Sequence, residues 1–223
     1  MALDRPFFVG LAGGSGSGKT ALAAAVADAL RPAVVARLAQ DAYYHDRSGL
    51  PPGARAELDF DVPEALDREL FVQHLRTLRR GHPVRPPRYC FVTHCRQAPG
   101  PRVGPAEVVL VEGLWLLLDP GVRALLDLRI YLEAPENLRL SRRLSRDVTE
   151  RGRTPQSVVL QYQTSTGPAH QRYVEPSKTW ADLVLVNAGR LPPVAEVAAT
   201  IIRTQRERGL ASRARSGLVS RSA

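Results

Sequence analysis

Apolar runs of strand length alternate with segments of helical periodicity along most of the chain. The runs predict five buried β-strands, at residues 7–12, 33–38, 107–111, 128–132 and 181–186. Helices are predicted between and after them, at residues 21–30, 64–80, from 135 onward, 155–162 and from 193 onward. Strand–helix–strand units of this length form right-handed crossovers, so the pattern predicts an α/β fold with a parallel sheet and helices on both faces.

The segments outside these elements are rich in turn residues or in charge. Residues 84–94 combine prolines with alternating aromatic side chains, which predicts a peripheral β-hairpin. Residues 42–63 predict a long loop, and Gly167–Pro168 predicts a break or kink in a helix. Residues 206–223 contain mostly Arg, Ser, Ala and Gly, which predicts a disordered basic tail. We therefore predict a single domain, residues 1–205, followed by this tail.

Composition narrows the class of protein. The 223 residues carry a formal net charge of +9, but only Lys19 and Lys178 are lysines, and the arginines are spread along the chain. Because a nucleic-acid site would concentrate its charge in one segment, we do not expect a nucleic-acid partner. Cys90 and Cys95 are too few for a disulfide framework or a zinc site. With no signal peptide and no apolar stretch of about 20 residues, the sequence predicts a soluble cytoplasmic protein without membrane contact.

The junction between the first strand and the first helix carries the strongest motif. It matches the phosphate-binding P-loop pattern G-x-x-x-x-G-K-[ST] with Gly13, Gly14, Ser15, Gly16, Ser17, Gly18, Lys19 and Thr20. Glycines let successive N–H groups turn inward, and the helix N-terminus adds partial positive charge. Lys19 is predicted to reach the β- and γ-phosphates and Thr20 to ligate Mg²⁺. The motif predicts a nucleoside triphosphate as ligand.

Two acidic residues follow predicted strands. Asp41 lies after the second strand and Glu112 after the third. The carboxyl ends of parallel strands meet at one edge of a sheet, so both residues are expected beside the P-loop. Glu112 occupies the position that holds Mg²⁺, directly or through water, and Asp41 is expected next to the γ-phosphate.

The helix that follows Pro135 carries a row of arginines. Arg139, Arg142, Arg143 and Arg146 are spaced i, i+3, i+4 and i+7, which puts four guanidinium groups on one helical face. Such a face suits an anionic partner. We interpret this segment as a lid that closes over the phosphates and excludes water.

Several segments between residues 7 and 189 together resemble the uridine kinase (uridine–cytidine kinase) family of P-loop kinases. Besides the P-loop, the resemblance rests on Gln40-Asp41 with Tyr43-Tyr44, Asp59-Phe60-Asp61, Pro87 to Arg96, Val111-Glu112-Gly113, Arg142 to Asp147, Glu150 to Arg153 and Gln161-Tyr162. It implies a three-layer P-loop NTPase sandwich with a small β-hairpin over the acceptor site. The implied activity is transfer of the γ-phosphoryl group of ATP or GTP, with Mg²⁺, to the 5′-hydroxyl of uridine or cytidine in pyrimidine salvage. The implied assembly is a homo-oligomer, a tetramer.

The resemblance also implies a role for each matching residue. Asp41 is the catalytic carboxylate that accepts the hydroxyl proton, and Asp61 binds the ribose hydroxyls. His94 reads the 4-position of the pyrimidine, and Arg146 contacts phosphate. The remaining implied substrate contacts are Tyr44, Phe60, Tyr89 and Phe91 around the base, with Arg143, Arg153 and Gln161 at the ribose or the base.

Three positions depart from the family pattern, and two other functions stay open. Cys90 and Asp59 stand where the family usually has Asp and Asn, and Gly167 replaces a usual Lys. These departures leave the uridine–cytidine preference and the lid contacts undecided. The first alternative is a related kinase with another small alcohol acceptor, such as a phosphoribulokinase or a pantothenate kinase. The second is a non-catalytic nucleotide-binding regulator.

Overall fold

A parallel five-stranded sheet forms the centre of the fold. The computed structural model describes residues 5–219, without the side chains of Ala56 and of residues 211–219. The strands are β1 (Phe7–Ala12), β2 (Val35–Ala39), β3 (Arg88–Cys90), β4 (Cys95–Gln97), β5 (Val108–Gly113), β6 (Leu128–Glu133) and β7 (Leu183–Val186). The large sheet has the order β2-β5-β1-β6-β7 with all neighbours parallel, and β3 and β4 form a separate antiparallel hairpin. The predicted parallel sheet and peripheral hairpin are both confirmed.

Helices connect the strands and cover the sheet. They are α1 (Lys19–Ala29), α2 (Pro52–Ala56), α3 (Arg68–Arg79), α4 (Pro120–Arg123), α5 (Glu136–Arg151), α6 (Pro155–Gln161), α7 (Gly167–Ala169) and α8 (Val194–Val219). Short 3₁₀ turns occur at Gln40–Tyr43, Pro63–Ala65 and Pro176–Trp180, and π-helical turns at Tyr162–Thr166 and His170–Val174. None of the helices within residues 5–219 is long and apolar enough to cross a membrane.

Alternate side chains of the central strands build two separate cores. On one face, Phe8 packs in a cluster with Phe71 of α3. On the other face, Val9 packs in a cluster with Leu22 of α1 and Ile201 of α8. This period of two follows from strand geometry. It accounts for the continuous apolar sequence of β1 and β5, since strands covered on both faces need apolar side chains at every position.

Two predictions for the segment between β2 and the end of α3 were wrong. The helix predicted at 64–80 begins at Arg68, because Asp67 caps it by accepting a hydrogen bond from the Leu70 amide at 3.0 Å. The predicted loop at 42–63 contains α2, which Pro52 begins at a favoured first-turn position.

The chain continues as a helix through two segments for which the sequence predicted otherwise. No break occurs at Gly167–Pro168. The pair lies in the short helix α7, and π-helical turns directly precede and follow it. The last helix extends to Val219, through most of the predicted disordered tail, in keeping with the helix propensity of its Arg, Ala and Leu residues. The last four residues of that predicted tail lie outside the described residues.

A buried carboxylate directly before β6 joins β1, α3 and α8. Asp127, 8% exposed, accepts a hydrogen bond from the Phe8 amide at 2.8 Å and from Arg208 of α8 at 2.9 Å, and it forms a two-pronged pair with Arg79 of α3. Burial by itself raises the pKa of Asp127, but the hydrogen bonds from Arg79 and from the Phe8 amide outweigh it and lower the pKa. The charged form of Asp127 therefore stabilises the fold.

We predict that Asp127→Asn lowers the free energy of unfolding by about 3 kcal/mol at pH 7, because it leaves a buried arginine without its counter-ion. A carboxylate whose pKa is lowered in the folded state contributes stability above its unfolded pKa of about 4 and loses it at more acidic pH. The difference between wild type and variant should therefore shrink below about pH 4. Urea unfolding from pH 7 to pH 3 measures it.

Asp28→Asn is the matched control. Asp28 pairs with Arg31 on the surface of α1, where both side chains are more than two-thirds exposed. Water and salt screen such a pair, so this substitution should barely change stability. Equal effects of the two substitutions would contradict the role assigned to Asp127.

Candidate active site

The P-loop turns between β1 and α1 with neighbouring backbone packed directly against it. Gly13 and Gly16 have φ angles of 146° and 76°, which favour glycine. A Cβ at Gly13 would lie 2.3 Å from the Leu132 carbonyl oxygen, and one at Gly16 would lie 2.2 Å from that of Arg139. The loop therefore requires glycine both for its conformation and for its close contact with β6 and α5.

The two functional side chains of the loop have defined partners. Lys19 Nζ donates hydrogen bonds to the carbonyl oxygens of Gly13 and Gly14, both at 2.9 Å. Burial lowers the pKa of the Lys19 amine, although Asp41 and Glu112 act in the opposite direction. Thr20 Oγ1 donates to Glu112 Oε2 at 2.7 Å. The carboxyl ends of β1 and β5 thus bring the predicted triphosphate residues together.

The oxygen atoms of Thr20 and Glu112 fit a magnesium ion. A hydroxyl and a carboxylate are the hard ligands that Mg²⁺ prefers, and Mg²⁺ commonly takes its other ligands from water and phosphate. Burial raises the pKa of Glu112, which is 9% exposed, so a cation beside it would favour its charged form. Within residues 5–219 no group of three or more His, Cys, Asp or Glu side chains could hold a metal ion.

Asp41 lies close to Lys19 and Glu112 at the carboxyl edge of the sheet. It belongs to the 3₁₀ turn Gln40–Tyr43 directly after β2, and its charge acts on both Lys19 and Glu112. It also lines a cavity of about 650 Å³ that reaches the P-loop at Ser15. The position of Asp41 at the junction of the two regions agrees with its predicted place beside the transferred phosphate.

The cavity collects all the residues that the resemblance implied for the acceptor. Its lining includes Tyr44, Phe60, Asp61, Tyr89, Phe91, His94, Arg143, Arg146, Arg153 and Gln161. These residues come from β3 and the turn after it, from α5, α6 and the turn between them, and from loops before α3. Their convergence is a property of the fold, since the sequence separates the first and last of them by more than a hundred positions.

Aromatic rings form one wall of the cavity. Tyr44 packs against Tyr89, Phe60 and Phe91 with ring centroids 5.2, 6.0 and 6.2 Å apart. The same Tyr44 also contacts Trp115 at 6.3 Å, a packing partner that the sequence reasoning missed. The result is a continuous apolar surface of the kind that stacks on a flat ring.

His94 ends this wall at the turn of the hairpin. Its ring is stacked on Phe60, with centroids 4.2 Å apart and an interplanar angle of 13°. Burial, followed by the charges of Arg153 and Arg151, lowers the pKa of His94 below its usual value of 6.5. The imidazole is therefore neutral at pH 7, with one nitrogen that can donate and one that can accept a hydrogen bond.

A second part of the cavity lining is cationic and is organised by Asp147. This carboxylate is fully buried and lies 2.8 Å from Arg146, 3.3 Å from Arg151, 3.5 Å from Arg143 and 3.8 Å from Arg153. The sequence reasoning missed Asp147 as the centre of the cluster, although its i±4 spacing to two of these arginines was a usable signal. Arg151 belongs to a segment on which the resemblance rests, but no role was assigned to it; its guanidinium lies 4.0 Å from the centroid of the Phe91 ring.

The predicted arginine face of α5 divides into two functions. Arg143 and Arg146 line the cavity. Arg142 instead lies against the P-loop: its guanidinium donates to the Ser17 carbonyl at 3.3 Å and to Asn187 Oδ1 at 3.2 Å. Asn187 Nδ2 donates to the same Ser17 carbonyl at 2.8 Å. The Ser17 carbonyl thus ties the P-loop by hydrogen bonds to α5 and to Asn187, which directly follows β7.

The departures from the family pattern lie at different distances from the cavity. Cys90 is paired in register with Cys95 on the hairpin, and neither lines the cavity. Gly167 also lies outside the lining. Asp59 does line it, and its Oδ1 accepts a hydrogen bond from the Asp61 amide at 2.8 Å.

Comparison with known proteins gives a consistent assignment. The family model described as "Phosphoribulokinase / Uridine kinase family" matches residues 8–192. A uridine kinase of Clostridium botulinum is 40% identical over 187 residues, which cover 84% of this chain and 91% of that protein. A uridine kinase of Oceanobacillus iheyensis is 36% identical over 210 residues, 94% of this chain and all of that protein.

Solved structures agree on the fold. The crystal structure of a protein assigned as a fructose transport system kinase, from a Silicibacter species, is 28% identical and superimposes with a TM-score of 0.68. The matched region covers 82% of this chain and 91% of the chain in that crystal structure. With a P-loop, a parallel sheet and family matches over most of its length, this chain belongs to the phosphoribulokinase / uridine kinase family.

Proposed function

We propose that this protein transfers the γ-phosphoryl group of ATP to the 5′-hydroxyl of uridine. The observation that carries the proposal is a single cavity that is lined by Asp41, by the aromatic wall with His94, and by the buried Asp61. A nucleoside needs each of these: a flat apolar surface for the base, a polar group at its edge and an acceptor for the ribose hydroxyls. The names of the relatives that are 36–40% identical support the same acceptor.

The P-loop supplies the donor half of the proposed reaction. Lys19 would exchange its contacts with the Gly13 and Gly14 carbonyls for phosphate oxygens, and Arg146 would contact the phosphates from the cavity side. Thr20 and Glu112 would hold Mg²⁺, which when bound neutralises charge on the transferring phosphoryl group. We propose ATP as the donor, with GTP as the alternative.

Asp41 and Asp61 would act on different hydroxyl groups of the acceptor. Asp41 would accept the proton of the 5′-hydroxyl as that oxygen attacks phosphorus. Asp61 would bind the ribose hydroxyls, with Arg143 and Gln161 next to it. Because ribose is held at one end and the base at the other, the 5′-hydroxyl has one position relative to Asp41, which is the orientation effect that in-line transfer requires.

The base would lie against the aromatic wall with its 4-position towards His94. A neutral imidazole can donate to uracil O4 through one tautomer and accept from the cytosine amino group through the other. We therefore propose cytidine as a second acceptor. Arg153, which also lines the cavity and whose charge acts on His94, would contact the base as well.

We carry four further expectations from the sequence and the resemblance forward as proposals. They are a homotetrameric assembly, a cytoplasmic location, a role in pyrimidine salvage and a kinase domain that ends near residue 205. The rival function is a kinase of the same family with a small sugar or another alcohol as acceptor. The similarity to the protein assigned as a fructose transport system kinase favours that rival.

An acceptor screen separates these functions. ATP consumption by the purified protein is measured with uridine, cytidine, adenosine, fructose, ribulose 5-phosphate and pantothenate. We expect activity with uridine and cytidine. If only the non-nucleosides respond, the proposed acceptor is wrong. If ATP binds and no acceptor responds, the protein is a nucleotide-binding regulator.

We predict that Asp41→Asn lowers turnover by roughly two to four orders of magnitude, because an amide cannot accept the hydroxyl proton. ATP binding should stay close to wild type, since the Lys19 and Thr20 contacts do not involve Asp41. Steady-state kinetics and calorimetric ATP binding measure the two effects. The exposed Asp28→Asn is the matched control and should leave turnover unchanged. Near-normal turnover of Asp41→Asn would remove Asp41 from the mechanism.

We predict that His94→Phe lowers kcat/KM for uridine and cytidine by about tenfold, since it keeps the stacking on Phe60 but removes the polar contact to the base. His94→Gln, which retains a donor and an acceptor, should lose less. Because burial lowers the pKa of His94, the uridine/cytidine ratio of the wild type should change little between about pH 7 and pH 8 and should change mainly at acidic pH, where the imidazole gains its proton. An unchanged ratio and unchanged kcat/KM in His94→Phe would place His94 outside the base site.

A further inference from the structure

One oxygen of Asp61 receives three hydrogen bonds from a single helical segment. Oδ2 accepts from Gln161 Nε2 at 2.9 Å, from Ser165 Oγ at 3.1 Å and from Thr166 Oγ1 at 2.8 Å. Asp61 is 6% exposed and Thr166 is 5% exposed, so these contacts are shielded from water. The carboxylate is therefore held in one orientation by groups to which the sequence reasoning assigned no role, apart from Gln161.

The π-helical turn Tyr162–Thr166 brings these three donors together. In an α-helix, residues three and four apart share a face, so Gln161 and Ser165 would align and Thr166 would point away. Hydrogen bonds of the i→i+5 type widen the turn and bring a residue five positions on above the first. Thr166 therefore joins Gln161 and Ser165 on the side that faces Asp61.

Gly167 and Pro168 account for the wide turn. The Gly167 amide donates to the Tyr162 carbonyl, and a Cβ at Gly167 would lie 2.9 Å from that same oxygen. Pro168 has no N–H to donate to the preceding turn, and its ring would clash with the i−4 carbonyl of a regular α-helix. The pair that the sequence predicted to break the helix instead widens it next to the acceptor cavity.

The two oxygens of Asp61 consequently differ in what they can still accept. A carboxylate offers about four lone-pair sites, two on each oxygen, so three donors leave Oδ2 without free capacity. Among residues 5–219, Oδ1 accepts no hydrogen bond, and it has the guanidinium of Arg143 at 3.8 Å. Any hydroxyl of an acceptor that binds Asp61 must therefore use Oδ1.

The three donors are not equivalent. Ser165 Oγ lies 2.9 Å from Asp59 Oδ1 as well as 3.1 Å from Asp61, and its single proton can serve only one of them at a time. Gln161 is oriented by Arg143, whose Nη2 donates to its Oε1 at 3.0 Å. Thr166 Oγ1 is the buried donor for which Asp61 is the acceptor, which makes it the most direct constraint on this carboxylate.

We propose that Thr166 is a positioning residue for the acceptor: it holds Asp61 Oδ2 so that Oδ1 alone receives the ribose hydroxyls. This inference rests on the proposed nucleoside kinase activity and adds to it a determinant of sugar selectivity. A carboxylate held in one orientation distinguishes a ribose, which offers both hydroxyls, from a 2′-deoxyribose. A carboxylate free to rotate distinguishes them less.

The test compares kcat/KM for uridine and for 2′-deoxyuridine in matched variants. Thr166→Val keeps the shape but removes the donor, and it should lower the uridine/2′-deoxyuridine ratio by roughly tenfold, mainly through KM for uridine. KM for ATP should not change. Thr166→Ser keeps the hydroxyl and should retain the wild-type ratio. Thr179→Val removes an exposed hydroxyl that donates to the Pro176 carbonyl at 2.9 Å, and it should also retain the ratio.

The outcomes separate a positioning role from a structural one. A general loss of fold would lower activity on both nucleosides and weaken ATP binding, without a selective change in the ratio. If Thr166→Val does not bind ATP, Ser165→Ala removes the shared donor from a half-buried position and should lower the same ratio by about threefold. An unchanged ratio in variants that bind ATP normally would overturn the proposal, as would a Thr166→Ser variant that behaves like Thr166→Val.

The same assay distinguishes this inference from the function on which it rests. A wild-type protein inactive on uridine and cytidine would overturn the proposed function and this proposal with it. A wild-type protein that is active and selective, with variants of unchanged selectivity, would overturn only the role of Thr166.

Discussion

The ion cluster around Asp147 is the interaction on which the site depends. Arginines at positions 143, 146, 151 and 153 converge on one fully buried carboxylate. Like charges this close repel one another strongly away from water, so the arrangement needs an anion at its centre. The carbonyl oxygen of Asp147 also receives the amides of Gly152 and Arg153, which turns the chain back at the end of α5. The same residue therefore balances the charge and shapes the backbone.

Arg143 extends this cluster to both halves of the site. Its guanidinium lies 3.3 Å from Ser15 Oγ of the P-loop, 3.0 Å from Gln161 Oε1 and 3.8 Å from Asp61. A single buried side chain thus lies against the P-loop, α6 and Asp61. Since charged hydrogen bonds in a buried site are directional and strong, a small displacement of α5 would change the contacts of Arg143 with both the P-loop and Asp61.

Local sequence was sufficient wherever a function rests on neighbouring residues. The P-loop, its strand and its helix could be predicted because glycine conformation, the lysine and the threonine lie within eight positions. Asp41 and Glu112 could be placed at one sheet edge because parallel strands have only one carboxyl edge. The acceptor residues came from the family resemblance, and periodicity alone would not have grouped Tyr44, His94 and Gln161. Asp147 could have been found from its i±4 spacing to Arg143 and Arg151, whereas the contact of Thr166 with Asp61 joins residues 105 positions apart and cannot be read from local sequence.

The sequence by itself determined the nucleotide-binding loop, the parallel sheet and the arginine-rich face of α5, since each follows from a short motif or from the spacing of apolar and charged residues. The tertiary structure decided how the segment after α6 meets Asp61. Gly167–Pro168 reads as a helix break, yet packing against Asp61 and the core keeps the segment helical and turns it into a π-helical bend. Contacts distant in sequence make that difference, because the hydrogen bonds of Ser165 and Thr166 to Asp61 hold this turn in place. The hydrogen bond from the Gly167 amide to the Tyr162 carbonyl, five residues back, keeps the segment helical although Pro168 has no amide proton to donate.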